Sequence, residues 1–301
     1  MKKILIAGGT GLVGSRLVER LIEHGHHVHI LSRNKRASSS EVSYYTWDIN
    51  KGTIDLKALE ADVLINLAGA GIADKRWTSA RKKLLVDSRV KTMDLLRKGL
   101  EEIGKKPEAI ICASAIGYYG DRNNEELVET SAPGEGFMAD CCMKWEEAAA
   151  ALSEYTDRHS ILRIGIVLST LGGALPKVLM TRSIRVLNYF GNGAQYYSYI
   201  HIDDLCLIIE QCISDPAYTG IINGVAPEPL TNKEFTQSIG QALPGSYAVL
   251  PAPKFGLRLA LGEMADVVLN SNRVLPERLE KLGFQYNFPD LESAIRDLVP
   301  D

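Results

Sequence analysis

The chain has 301 residues, 46% of them hydrophobic and 24% charged, with 34 Lys plus Arg against 37 Asp plus Glu and a formal net charge of -3. A chain of this length buries roughly three-quarters of its extended surface, so it needs no disulfide or metal staple, and its apolar fraction excludes a disordered polypeptide. The near-neutral charge argues against a dedicated nucleic-acid binder.

Strand-length apolar runs alternate with helix-period segments. Lys3–Ala7 reads as a short buried strand. Leu12, Leu17, Leu21 and Ile22 then recur at helical spacing until Gly25. Val28–Leu31, Val42–Trp47 and Asp62–Leu67 are the next strands, followed by a helix over Thr78–Glu102. Ala109–Ser114 is a fifth strand, Met138–Tyr155 a helix and Ser160–Val167 a sixth strand. This alternation predicts an α/β fold, a Rossmann-type doubly wound parallel sheet covered by helices on both faces. After residue 170 the rhythm changes: Gly172–Gly193 is rich in Gly and apolar residues, Tyr196–His201 is aromatic, Asp203–Ser214 is helical and Ile221–Val225 is a strand. The expected organisation is a dinucleotide-binding domain over 1–170 and a smaller α+β cap domain over 171–301. A later strand, within about 199–225, returns to the first domain.

The most informative motif is Gly8-Gly9-Thr10-Gly11-Leu12-Val13-Gly14. It joins a strand to a helix, the context a dinucleotide site requires. Gly8 allows the tight turn, Gly11 the approach of a pyrophosphate and Gly14 close packing of helix on sheet. The helix N-terminus offers free N–H groups to the phosphates, which makes Thr10, Leu12 and Val13 contact positions as well. No GK[ST] ending follows, so a P-loop phosphotransferase is excluded. The second strand ends in Ser32-Arg33-Asn34-Lys35-Arg36 rather than in an acid. An acid there would bind a ribose 2′-hydroxyl, whereas Arg33, with Ser32 and Arg36, suits a 2′-phosphate. The expected cofactor is therefore NADP. Asp48 ends the third strand, placed either to reach an adenine amino group or to cap its own turn. Leu67, Ala68 and Gly69 form a small-residue loop that lets backbone pass beside the adenosine ribose.

These residues, together with Ser114, Tyr119-Gly120 and Tyr199–Asp204, resemble the extended short-chain dehydrogenase/reductase superfamily. More narrowly the chain resembles an atypical branch of the NAD(P)-dependent epimerase/dehydratase family. Its members are labelled epimerase family protein, nucleoside-diphosphate-sugar epimerase or cell division inhibitor. Ala73–Trp77, Ser114–Gly120, Lys144–Glu146, Arg163–Leu168, Asn223–Pro227, Leu261–Asp266 and Leu275–Leu279 carry that likeness. The resemblance implies an oxidoreductase or epimerase, with a nucleotide-sugar-like substrate as one option.

Relatives of the wider family use a Tyr-x-x-x-Lys pair, in which Tyr is the acid/base and Lys lowers its pKa. None of the 12 tyrosines here has Lys four residues later. Alignment through Trp145-Glu146 puts Met138 and Cys142 at the two positions, and Ala115 where the family's catalytic Ser or Thr sits. The remaining catalytic candidates are Ser114 and Tyr119, with Tyr118 and His201 on the substrate side; Asp140 lies near the same position. Arg89 reads either as a cofactor contact or as the partner of Asp87 or Glu101. Arg163 reads either as a cofactor contact or as half of an internal ion pair. Gln195, Tyr196, Tyr197 and the Lys75-Arg76-Trp77 loop offer pocket walls.

Five Cys occur, an odd number with no CxxC spacing, so neither a disulfide framework nor a metal site is expected. The apolar stretch after Lys3 breaks at Gly8, too short for a signal-peptide core, and a strand starting at residue 3 leaves no room for a transit peptide. No window reaches the roughly 20 apolar residues of a membrane span. The expected location is the cytoplasm, with a small-molecule substrate, no nucleic acid and no membrane partner. Two functional readings fit: an NADP-dependent enzyme with an altered active site, and a non-catalytic NADP(H)-binding redox sensor or protein-interaction module. Substrate and oligomeric state are not specified by these motifs.

Overall fold

The computed structural model describes residues 1–300. Its centre is an eight-stranded sheet. The strands are β1 (Lys3–Ala7), β2 (His27–Ser32), β3 (Val42–Asp48), β4 (Thr53–Ile54), β5 (Val63–Asn66), β6 (Ala109–Ala115), β7 (His159–Ile164) and β8 (Gly220–Gly224), in the spatial order β8-β7-β6-β5-β1-β2-β3-β4. All neighbours are parallel except β4, which returns antiparallel on β3. The order reverses direction at β1, which pairs Ile4 with both Val28 and Val63. A doubly wound sheet opens its ligand crevice at that point, beyond the carboxyl ends of the strands.

Side-chain alternation along β1 builds two cores. Ile4 and Ile6 pack with Leu17 and Leu21 of helix α1 (Leu12–Glu23) and with Leu205 and Ile209 of a later helix, Ile202–Ser214. Leu5 and Ala7 face the other side, against Met93 and Leu96 of α2 (Ser79–Ile103) and Trp145 and Ala149 of α3 (Phe137–Ala150). The helix boundaries follow local chemistry. Thr78 accepts a hydrogen bond from Arg81 N at the start of α2, and Gly104 ends it in the left-handed region.

Two differences from the sequence expectation have clear causes. The single strand expected over Ser160–Val167 is broken at Gly165, whose N–H donates to Gly224 O while Ile166 N donates to Ser198 O. There the chain leaves the main sheet, and Ile166–Leu168 pairs with Tyr199–His201 instead. The helix expected over Met138–Tyr155 is α-helical only to Ala150 and tightens to a 3₁₀ turn over Ala151–Tyr155.

The C-terminal elements have their own core of Leu187, Tyr197, Tyr199, Phe235, Ile239, Leu291 and Ile295. It is built from the parallel pair Val186–Phe190 and Ala248–Ala252, helix Asn232–Ala242 with its Thr231–Glu234 capping box, and helix Leu291–Leu298. No helix among the described residues is long and apolar enough to cross a membrane. All five Cys are free and buried.

Candidate cofactor and substrate site

The crevice at β1 is shaped by glycine. Gly8 has φ +87°, and its Cβ position would fall 2.8 Å from the Leu67 carbonyl carbon. A Cβ on Gly14 would overlap the Gly8 carbonyl oxygen. The turn is closed by Gly11 N donating to Gly8 O at 3.0 Å. Gly11 caps α1 with extended backbone and no side-chain acceptor, and the first bond into the helix is Ser15 N to Gly11 O at 2.9 Å. The amides of Leu12, Val13 and Gly14 therefore sit in the helix mouth without a capping side chain, the geometry that receives a phosphate. Across the crevice, Asn66 is fully buried and accepts from Ala68 N at 3.0 Å, which fixes the Leu67–Gly69 loop.

At the far end of the crevice Ser32 is buried and accepts from Asn34 N at 3.4 Å. Arg33, Lys35 and Arg36 are exposed. The Arg36 guanidinium lies 5.7 Å from the Tyr44 ring centre, beside a cavity of about 210 Å³ that Lys35, Thr46 and Asp55 also line. Asp48 accepts from Asn50 N at 3.0 Å and Lys51 N at 3.1 Å, so its carboxylate caps its own turn.

Arg89 enters from α2 beneath this loop. It is 6% exposed, donates to Leu85 O at 2.9 Å and Ala70 O at 3.2 Å, and lies 4.7 Å over the Trp145 ring. Neither Asp87 nor Glu101 pairs with it; Lys83 and Lys91 hold the first and Arg97 the second. Burial lowers its pKa, and no carboxylate among the described residues offsets that cost. A buried guanidinium without a counter-charge fits an anion supplied from outside the chain.

The end of β6 meets a closed polar cluster. Ser114 Oγ donates to Glu146 Oε1 at 2.6 Å. Arg163, beside Ser114 in the register and 2% exposed, binds the same carboxylate through Nε at 2.9 Å and Nη2 at 2.8 Å. Burial disfavours the Arg163 charge, but the Glu146 bonds outweigh it and hold the pKa above its ordinary value. The Arg163 Nη1 group donates to Tyr119 Oη at 3.0 Å and Glu129 O at 3.1 Å, and its guanidinium carbon lies 3.5 Å from the Tyr118 ring centre. Of the two readings open for Arg163, the structure contains the internal ion pair. Tyr119 is fully buried, with Oη within hydrogen-bond distance of Asn223 Oδ1 (2.7 Å) and Val128 O (3.0 Å); burial pushes its pKa up to about 12. A hydroxyl so enclosed is not placed to reach a substrate in this conformation. Glu146 went unnoticed in the sequence, because only the fold brings it to Ser114 and Arg163.

Helix α3 presents Met138 and Cys142 to this same end of β6: the Cβ position of Gly117 is 3.2 Å from Met138 Cε and 3.7 Å from Cys142 Sγ. Burial raises the Cys142 thiol to about 12, so it is protonated at neutral pH. His201 sits elsewhere. It is 1% exposed, caps the Ile202–Ser214 helix by accepting from Asp203 N, stacks 4.0 Å from Phe288 and approaches Asp297 at 3.2 Å. Gln195 and Tyr197 are likewise spent on Val268 O.

A doubly wound parallel sheet with a glycine cradle at its reversal point defines a dinucleotide-binding protein of the Rossmann type. Residues 4–221 match the NAD dependent epimerase/dehydratase family, and residues 252–298 match a domain of unknown function. Similar proteins span the whole chain. An epimerase family protein of Staphylococcus saprophyticus is 35% identical over 99% of this chain and 100% of its own. Epimerase family protein SDR39U1 of Mus musculus is 34% identical over 99% of each chain. The crystal structure of human SDR39U1 with NADPH superposes with a TM-score of 0.89 at 31% identity, covering 99% of each chain. The UDP-N-acetylglucosamine 4-epimerase of Bacillus cereus, 18% identical with a TM-score of 0.78, shares the fold. The chain belongs to the NAD dependent epimerase/dehydratase family.

Proposed function

We propose that this chain is an NADP(H)-dependent oxidoreductase of atypical short-chain type that reduces a small carbonyl compound, and that it does not interconvert nucleotide sugars. In this reading the Gly8–Gly14 turn and the mouth of α1 hold the pyrophosphate, while Leu67–Gly69 and Arg89 enclose the adenosine side. Arg33, with Ser32 and Arg36, selects the 2′-phosphate; the NADPH held in the human SDR39U1 structure supports that preference. The cofactor supplies hydride. Ser114, Glu146 and Arg163 hold the end of β6 rigid beside it and act as positioning residues. The cap begins near residue 171.

The observation that carries the reading is the presence of Met138 and Cys142 against Gly117. Neither exchanges a proton near neutral pH, and the Ser114 and Tyr119 hydroxyls are engaged inside the fold. Epimerisation through a transient ketone requires a base to remove a hydroxyl proton and return it. Reduction of an activated carbonyl needs only hydride from the cofactor to the carbonyl carbon and a proton from water to its oxygen. The same engaged hydroxyls support a second reading, a cofactor-sensing protein with no turnover.

The test is fluorescence titration of NADPH and NADH, followed by absorbance assays with carbonyl compounds and with UDP-sugars. NADPH is expected to bind at least about ten-fold tighter, about 1.4 kcal/mol, and to be oxidised by a carbonyl. Equal affinity for the two cofactors, or epimerised UDP-sugar, overturns the proposal. Tight NADPH binding without oxidation by any compound selects the sensing reading.

A further inference from the structure

Helix Lys254–Leu261 buries none of its residues. Phe255 is 80% exposed and Leu259 69%, and they stand one turn apart on one face. The helix is tied at both ends. Lys254 lies along Gly191 among the C-terminal elements. Just past the other end, the Cβ position of Gly262 is 2.8 Å from Arg76 Nε, and Glu263 pairs with Lys82 in the first turn of α2. The helix thus runs from the C-terminal elements to the loop that follows β5, on the carboxyl side of the sheet. From Lys82 the contacts lead inward. Its Nζ lies 5.1 Å from the Phe137 ring centre, Phe137 meets Trp77 edge-on at 4.9 Å, and the next residue, Met138, touches Gly117. On the opposite wall the Cβ positions of Gly172 and Gly173 each fall 3.4 Å from the Leu12 side chain of the phosphate turn, and neighbouring Leu171 is 84% exposed.

An exposed Phe–Leu face on a helix with no buried residue is an unusual use of surface. Charges of both signs surround it, and the unpaired ones at its two ends are basic. Lys75, Arg76 and Lys254 form no ion pair among the described residues, whereas the local acids Asp74, Glu263 and Asp266 are matched by Arg81, Lys82 and Arg258. Aromatic and aliphatic walls with unmatched cations at the rim complement a ligand with an apolar body and one negative group.

We infer that helix Lys254–Leu261 roofs the substrate side of the crevice and that the ligand admitted beneath it is an aromatic or other apolar anion, not a nucleoside diphosphate sugar. This rests on the proposed cofactor site only for the identity of the crevice.

The probe is 8-anilinonaphthalene-1-sulfonate, an aromatic anion, titrated into the full chain with and without saturating NADP⁺. Saturable fluorescence at one site per chain is expected under both conditions. Phe255→Ser, Leu259→Ser and Lys254→Glu each weaken it by about ten-fold or more, with the thermal midpoint and NADPH affinity unchanged. UDP and UDP-glucose leave the signal in place. Absence of a saturable signal, equal affinity in all three variants, or displacement by UDP overturns the inference. So does displacement by NADP⁺, which puts the probe in the cofactor crevice. A dimer that the variants convert to a monomer in sedimentation velocity also overturns it, because a second copy then covers the face. A chain that binds no NADPH fails the cofactor reading by its own titration, while the response of the probe to the helix variants is read separately.

Discussion

Glu146→Gln tests the closed cluster at the end of β6. In the native protein one carboxylate accepts three bonds at 2.6–2.9 Å, from Ser114 Oγ and from Nε and Nη2 of Arg163. A glutamine keeps the shape and removes the charge, and its amide nitrogen must face one of those donors. The Arg163 guanidinium, 2% exposed, keeps Glu129 O, Tyr119 Oη and the Tyr118 ring, with at most a neutral amide oxygen in place of the carboxylate. Breaking a buried pair from one side costs about 3–5 kcal/mol, most of it the uncompensated charge left behind. Replacing both partners, as in Glu146→Leu with Arg163→Met, removes that charge and is expected to recover at least half of the loss. The assay is urea unfolding followed by tryptophan fluorescence, since Trp145 adjoins the pair. The coupling energy from the cycle of Glu146→Leu, Arg163→Met and their combination is expected to exceed about 2 kcal/mol. A single-variant loss within about 0.5 kcal/mol, or strictly additive losses, refutes the reasoning.

Further outcomes follow from the same geometry. Gly14→Ala forces a methyl into the Gly8 carbonyl, so NADPH affinity falls by about 100-fold, roughly 2.7 kcal/mol, as read by fluorescence titration. Arg33→Ala removes the proposed 2′-phosphate contact and is expected to bring NADPH affinity to within about two-fold of NADH; an unchanged ratio contradicts the assignment. Arg89→Met removes a buried unmatched charge, so urea unfolding shows equal or greater stability while NADPH affinity drops about ten-fold. His159 is pushed down to about 4 by burial, and its Nε2 has no partner. The folded state therefore resists protonation: the His159 contribution is complete above the unfolded pKa of about 6.5 and is lost as pH falls toward 4. His159→Phe is expected to flatten the stability curve over that window, measured by urea unfolding at stepped pH.

Much of the platform was legible because its signals are local. The Gly8–Gly14 turn, the apolar runs and the break after Ser32 each lie within a few consecutive residues. The polar partnerships were not, because sheet register creates them. Ser114 and Arg163 stand side by side only once β6 and β7 pair, and Glu146 reaches both from α3. The same holds for His201, whose neighbours Phe288 and Asp297 come from nearly a hundred residues away. The interruption at Gly165 was invisible because Gly165 and Ile166 continue an apolar run that suits one strand, and only the competing acceptor at Ser198 redirects the chain. Tyr119 had the sequence context of a site residue and the surroundings of a core residue.

The last strand of the main sheet has a consequence for synthesis. When β7 leaves the ribosome, its outer edge has no neighbour, since β8 lies some fifty-five residues downstream. At about 5–20 residues per second that edge stays bare for roughly 3–11 s. Its residues, His-Ser-Ile-Leu-Arg-Ile, form the kind of open strand border that invites pairing with other chains. A translational pause placed before β8 lengthens that exposure and is expected to lower the yield of folded protein.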